Sequence, residues 1–102
     1  MVEIRWTRQA ADDLEAITKF IAADSPHYAR LFAVDVLSAV ERLGSFPRSG
    51  RVVPEVGKPA IREIPLGNYR IIYRARKGTV EILTVYHAAR LLDPKALKKR
   101  GR

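Results

Sequence analysis

Residues 61–90, IREIPLGNYRIIYRARKGTVEILTVYHAAR, admit few folds, because they divide into three apolar-rich runs separated by two turn dipeptides. Gly67-Asn68 and Lys77-Gly78 are the joints, and a two-residue loop is the length that folds neighbouring strands into antiparallel hairpins. The reading is a three-stranded meander with strands at 61–66, 69–76 and 79–87. In the middle strand the period of two sends Tyr69, Ile71, Tyr73 and Ala75 to one face. Arg70, Ile72, Arg74 and Arg76 go to the other. One face is built for a core, and the other is expected to carry positive charge suited to phosphate or an acidic peptide.

The upstream half supplies the cover for that core. Val2, Ile4 and Trp6 alternate with Glu3 and Arg5, which reads as a short strand. Thr7 is an N-cap candidate for a first helix whose apolar stripe is Leu14, Ile17 and Ile21 with Phe20 alongside. Asp12, Asp13 and Glu15 sit early in that helix, where they suit its dipole. Ser25-Pro26 then caps a second helix, with Ala29, Phe32, Ala33, Val36, Leu37, Val40 and Leu43 at helical spacing up to Gly44. From Ser45 to Ala60 the Pro and Gly residues predict irregular chain. Residues 91–102 read as a short helix at best followed by a basic tail.

The expected architecture is α+β in the order β-α-α-β-β-β, a helical hairpin packed on one face of an antiparallel sheet that the first strand joins. A chain of 102 residues holds one such core and not two, so residues 1–92 form a single domain and 93–102 a tail. The balance of 19 Lys and Arg against 11 Asp and Glu, +8 overall, favours an acidic protein or nucleic acid as partner. With no cysteine and two histidines, thiolate metal sites and disulfides are excluded and no metal or cofactor is expected. No apolar run is long enough to span a membrane, and a cytoplasmic location is expected.

Trp6-Thr7, Ala11, Asp13-Leu14, Phe46-Pro47, Gly50-Arg51, Ile61-Arg62-Glu63-Ile64, Gly67-Asn68-Tyr69-Arg70-Ile71-Ile72-Tyr73-Arg74 and Val80 to His87 together resemble the RelE/ParE toxin superfamily of bacterial type II toxin–antitoxin systems, the plasmid-stabilisation proteins. The resemblance spans nearly the whole chain, and Tyr69 to Arg74 is its most specific piece. It implies a small basic toxin neutralised in a hetero-oligomer by an acidic, partly disordered antitoxin that covers leftover helix faces. It also implies one of two targets on a single fold: messenger RNA cut in the ribosomal A site by RelE-like members, or DNA gyrase inhibited by ParE-like members.

For a nuclease the catalytic set is Arg70, Arg62 and His87: the resemblance aligns Arg70 and Arg62 with the basic residues of the enzymes, cations for the charge developing on phosphorus, and His87 is the neutral-pH acid or base that the sequence itself offers. Under either reading Arg70, Arg74, Tyr86 and Arg90 are the residues for target or phosphate. Two features of the pattern count against cleavage. With two-residue turns Arg62 opposes Tyr73, so either the register differs by one or Arg62 snorkels at the sheet edge. Tyr86 and His87 are strand neighbours and point to opposite faces unless a bulge intervenes. Where the nucleases carry an arginine, or a histidine followed by tyrosine, after the last strand, this chain has Ala88 and Ala89. Its ending Val85-Tyr86-His87 is similar instead to the Val-x-His of ParE-like toxins, which favours a gyrase-directed toxin. An inactive homologue or small nucleic-acid-binding module is the remaining class.

Overall fold

In the computed structural model, which describes residues 1–88, β1 (Glu3–Trp6) leads into α1 (Arg8–Asp24) and α2 (Pro26–Arg42). Then come β2 (Arg51–Val52), β3 (Ile61–Leu66), β4 (Tyr69–Arg76) and β5 (Thr79–His87). The boundaries follow from the capping residues. Thr7 accepts from the Ala10 N–H at 3.1 Å and donates its own hydroxyl to the Ile82 carbonyl at 2.7 Å, so one side chain starts α1 and ties it to β5. Ser25 ends α1 in an extended conformation and caps α2 through the Tyr28 N–H, with Pro26 at the first helical position. The two helices therefore form a tight hairpin.

The sheet has the order β1-β5-β4-β3-β2. Both hairpin turns place a glycine at positive φ, Gly67 at 58° and Gly78 at 79°, where a Cβ is disfavoured. The β3–β4 register pairs Arg62 with Tyr73 and Leu66 with Tyr69, as a two-residue turn dictates. Between β4 and β5 the register slips by one at Ile72 and Tyr73, and Leu83 is the extra residue of the bulge.

The sheet is mixed rather than antiparallel, since β1 runs parallel to β5. The difference has a simple origin in β2, the two-residue strand inside the stretch expected to be irregular. Counting β2 as one further chain reversal brings β5 back to the sense of β1; omitting it would leave them opposed.

The helical hairpin covers one face. Ala10, Val36, Ala39, Val40 and Leu43 pack there against Ile71, Tyr73, Ala75, Val80 and Ile82, with Val2, Ile4, Trp6, Leu14 and Phe32 at the margin. Leu37, expected in this core, is 52% exposed, and Phe20 is 77% exposed. The acidic residues of α1 lie beyond its first turn. Asp12 and Glu15 face Arg8 and Lys19 one turn away, exposed pairs that contribute little, and Asp13 turns to the sheet.

The second face is not a solvated charged surface. Val53, Ile61, Ile72 and Leu83 form a smaller buried cluster beneath the segment joining β2 to β3, with Val56 and Tyr86 packed against it. This strap is held by its own turns, Val56 and Gly57 donating to the Val53 carbonyl and Ile61 to that of Lys58. Ile72, placed by the pattern among the arginines of the outer face, is fully buried. Residues 89–102, including Arg90 and the basic tail, lie outside the described residues.

Candidate functional site

Of the three arginines of β4, Arg70 sits under the strap, and each of the three meets a carboxylate. Arg70 is 7% exposed, and its neighbour Glu63, on the same face of β3, is wholly buried. Arg70 Nε donates to Glu63 Oε1 at 2.6 Å, while Nη1 and Nη2 reach the two oxygens of Glu55 at 2.7 and 2.8 Å. Arg51 from β2 donates to the remaining oxygen of Glu63. Two guanidinium groups and two carboxylates thus form one compact network across β2, the strap, β3 and β4. The Glu55 hydrogen bonds hold the Arg70 pKa above its already high ordinary value against the opposing effect of burial, with Glu63 adding to the upward shift.

Farther along the strand, Arg74 and Arg76 approach Glu81 of β5 at 3.7 and 3.2 Å. Tyr86 lies opposite Arg70 in the register and packs on the strap-side cluster. His87 lies opposite Tyr69, on the helix side, with the two rings edge to face at 5.3 Å and Phe32 against Tyr69 at 5.0 Å. The bulge at Leu83 comes before both residues, so Tyr86 and His87 remain on opposite faces.

Arg62 pairs with Tyr73 of β4 and Val52 of β2, so it lies inside the sheet and not at its edge. Its guanidinium donates to the carbonyls of Pro59 at 2.9 Å, Gly50 at 2.9 Å and Arg48 at 3.2 Å, pinning the loop before β2 and the end of the strap. Gly50 there approaches so closely that a Cβ would lie 2.6 Å from the Glu63 carbonyl oxygen and 2.7 Å from the Tyr73 hydroxyl, which accepts the Gly50 N–H at 2.9 Å. The structure therefore does not gather the expected nuclease residues. Arg70 is on the strap face, Arg62 is committed to backbone carbonyls, and His87 is on the helix face.

A groove of about 500 Å³ opens between α1 and the end of β5, lined by Asp13, Ile17, Phe20, Tyr69, Thr84 and His87 among others. Buried Thr84 donates to Asp13 Oδ2, and Gln9 Nε2 donates to Asp13 Oδ1 at 2.6 Å. On the outer side of α2, Tyr28, Leu31, Val34 and Leu37 are all exposed, an apolar stripe on a surface helix. Among the described residues no cluster of three His, Cys, Asp or Glu is set to hold a metal ion, and no helix is long and apolar enough to cross a membrane.

Glu55 and Glu63 were not singled out by the pattern as site residues. The register carries a signal for Glu63: Pro65 pairs with Arg70 and Glu63 with Ile72, so Glu63 is the diagonal neighbour of Arg70 on the same face. Glu55 carries no such signal, because the irregular strap has no period from which its direction could be read.

Comparison with known proteins gives a consistent relationship. Residues 4–92 match the family described as ParE toxin of type II toxin-antitoxin system, parDE. The chain is 33% identical to Toxin RelE2 of Caulobacter vibrioides over 91 residues, covering 89% of this chain and all of that protein. It is 37% identical over 87 residues to the putative toxin Y4kP of Sinorhizobium fredii, covering 83% of this chain and 86% of the relative. Among solved structures, a chain of the chromosomal ParDE toxin–antitoxin system from P. aeruginosa superposes with a TM-score of 0.70 at 26% identity, covering 85% of this chain and 96% of that one. With the same two helices on a five-stranded sheet and the family matched over nearly its full length, the chain belongs to the ParE toxin family of type II toxin–antitoxin systems.

Proposed function

We propose that this toxin arrests growth by binding DNA gyrase rather than by cutting messenger RNA. The observation that carries the reading is the state of Arg70. A cation that stabilises a phosphorane-like transition state must reach the phosphate, whereas this one is buried between Glu55 and Glu63. His87 stands on the opposite face of the sheet, against Tyr69, so acid or base and cation do not share a site. What is left for function is recognition by surface, with Tyr86, Arg74 and Arg90 as the residues for target contact.

The antitoxin partner that the family implies is assigned to the apolar stripe of α2. Tyr28, Leu31, Val34 and Leu37 offer the spaced anchors that an amphipathic helix needs, and the net charge of +8 attracts an acidic chain.

The test is expression without the antitoxin, followed by a gyrase supercoiling assay and by mapping of messenger RNA ends in the arrested cells. Loss of supercoiling with intact transcripts is the expected result. Codon-positioned cuts with normal gyrase would replace this reading by that of a ribosome-dependent endoribonuclease.

A further inference from the structure

Two arginines beside the loop before β2 are held close together with no carboxylate between them. Arg62 Nε and Arg48 Nη1 both donate to the Pro59 carbonyl, at 2.9 and 3.5 Å, so one backbone oxygen lies between two guanidinium groups. Arg51, Arg70, Arg74 and Arg76 each meet a glutamate. Among the described residues Arg48 and Arg62 form no ion pair. Neutral carbonyls are a weaker counterweight to such charges than a carboxylate, and the two cations repel each other.

The two side chains are held differently. Arg62 is turned onto the backbone, donating also to the carbonyls of Arg48 and Gly50 at 3.2 and 2.9 Å, so it ties the turn before β2 to the end of the strap. That turn is fixed further by the Ser49 N–H on the Phe46 carbonyl at 3.1 Å and by the Gly50 N–H on the Tyr73 hydroxyl at 2.9 Å. Arg48 is exposed, and its bond to Pro59 is at the limit of hydrogen-bonding distance, so its guanidinium can turn to an outside acceptor while the backbone stays in place. Phe46, 65% exposed, heads the same turn, and its N–H bonds the carbonyl of Arg42, the last residue of α2. The exposed apolar residues of α2 are thus followed, along one continuous stretch of chain, by an exposed aromatic ring and then by uncompensated charge.

We propose that Arg48, with Arg62 fixed behind it, is a docking point for a side-chain carboxylate of the antitoxin, in an acidic segment that continues past the helix laid on α2. The proposal rests on the assignment of the antitoxin to the α2 stripe and extends it beyond the end of that helix. One guanidinium fork beside an exposed ring suits a peptide, which offers a carboxylate and an apolar side chain within a few residues of each other. A nucleic-acid backbone instead gains its affinity by summing many cation contacts, and Arg51 and Arg70, the next arginines, are already engaged by Glu63.

The experiment measures binding of a fluorescently labelled polyglutamate peptide at low salt to the parent chain, to Arg48→Gln and to Arg8→Gln, the last removing the same charge from an exposed side chain at the start of α1. Arg48→Gln is expected to bind about tenfold more weakly than the parent, the scale of one charge-assisted contact. Arg8→Gln should lose no more than about twofold, the effect of a remote screened charge. The Arg62 Nε–H resonance should shift on adding the peptide to the parent and stay put in Arg48→Gln. Equal losses in the two variants, or tighter Arg48-dependent binding of a single-stranded RNA oligonucleotide of equal charge, would each overturn the proposal. Titration calorimetry with the antitoxin then identifies the partner, and Arg48→Gln should again lose about tenfold. Undiminished antitoxin affinity in Arg48→Gln, with the loss confined to Leu31→Asp/Leu37→Asp, would overturn the docking point and leave the α2 assignment standing. Undiminished affinity in both variants would overturn both.

Discussion

Arg70 Nε donates to Glu63 Oε1 at 2.6 Å across the β3–β4 ladder, and both residues are buried on the face of the sheet that the strap covers. Removing one member of such a pair strands the other charge in the interior. Arg70→Ala is therefore expected to lower stability by about 3–5 kcal/mol in urea denaturation. Breaking the exposed Glu3–Arg5 pair should cost less than about 1 kcal/mol. Similar losses for the two would mean that Arg70 is not the internal ion that its contacts describe.

Gly50 makes a sharper steric prediction. A methyl group there meets the Glu63 carbonyl oxygen at 2.6 Å, a backbone atom that cannot swing aside. Gly50→Ala should destabilise the fold by about 1–3 kcal/mol, the usual cost of overpacking. Gly57, with nothing near its Cβ direction but φ at 70°, should instead show the smaller cost of a left-handed residue. Thermal melting of the two variants distinguishes clash from backbone strain.

The Tyr73 phenol gives a pH signature. Burial raises its pKa above the ordinary value of 10.0, while the Gly50 N–H and the nearby Arg62 and Arg48 charges pull the other way. Since the folded state holds this proton more tightly than the unfolded chain, the associated stability is present below about pH 10 and is lost as pH rises through the folded pKa. Stability should fall on the alkaline side, and Tyr73→Phe should flatten that limb of the curve. Tyrosinate absorbance that reports all four tyrosines ionising before unfolding would contradict it.

Asp13 and Thr84 join α1 to β5 from opposite ends of the sequence. A double-mutant cycle with Asp13→Asn and Thr84→Val should return a coupling of about 1.5–3 kcal/mol, as for a hydrogen bond to a charged group. Additive effects would show the contact to be incidental.

On α2, Leu31→Asp combined with Leu37→Asp changes two half-exposed positions and should leave the fold intact. Titration calorimetry with the antitoxin is expected to show at least about a hundredfold loss of affinity, since apolar anchors in a helix groove carry most of the binding energy. Unchanged affinity would move the antitoxin to another face.

How far the sequence reaches is visible in these same residues. Thr7, Ser25 and Pro26 placed both helices correctly because capping is local chemistry, and the two-residue turns set the Arg62–Tyr73 register. The parallel β1–β5 pairing escaped because it hangs on β2, two residues with no period of their own. The charged face failed for a different reason. Alternation tells which side chains share a face but not what lies over it, and the strap that buries Ile72 and carries Glu55 to Arg70 is irregular chain. The family resemblance was legible from Tyr69 to Arg74, yet the neutralisation of its central arginine depends on contacts 7 and 15 residues away in sequence.

The most direct measurement is the supercoiling of relaxed plasmid by purified DNA gyrase titrated with the toxin. Supercoiling should fall with rising toxin and recover when the antitoxin is added in equal amount. Full supercoiling at saturating toxin, together with codon-positioned transcript cuts on ribosomes, would contradict the account.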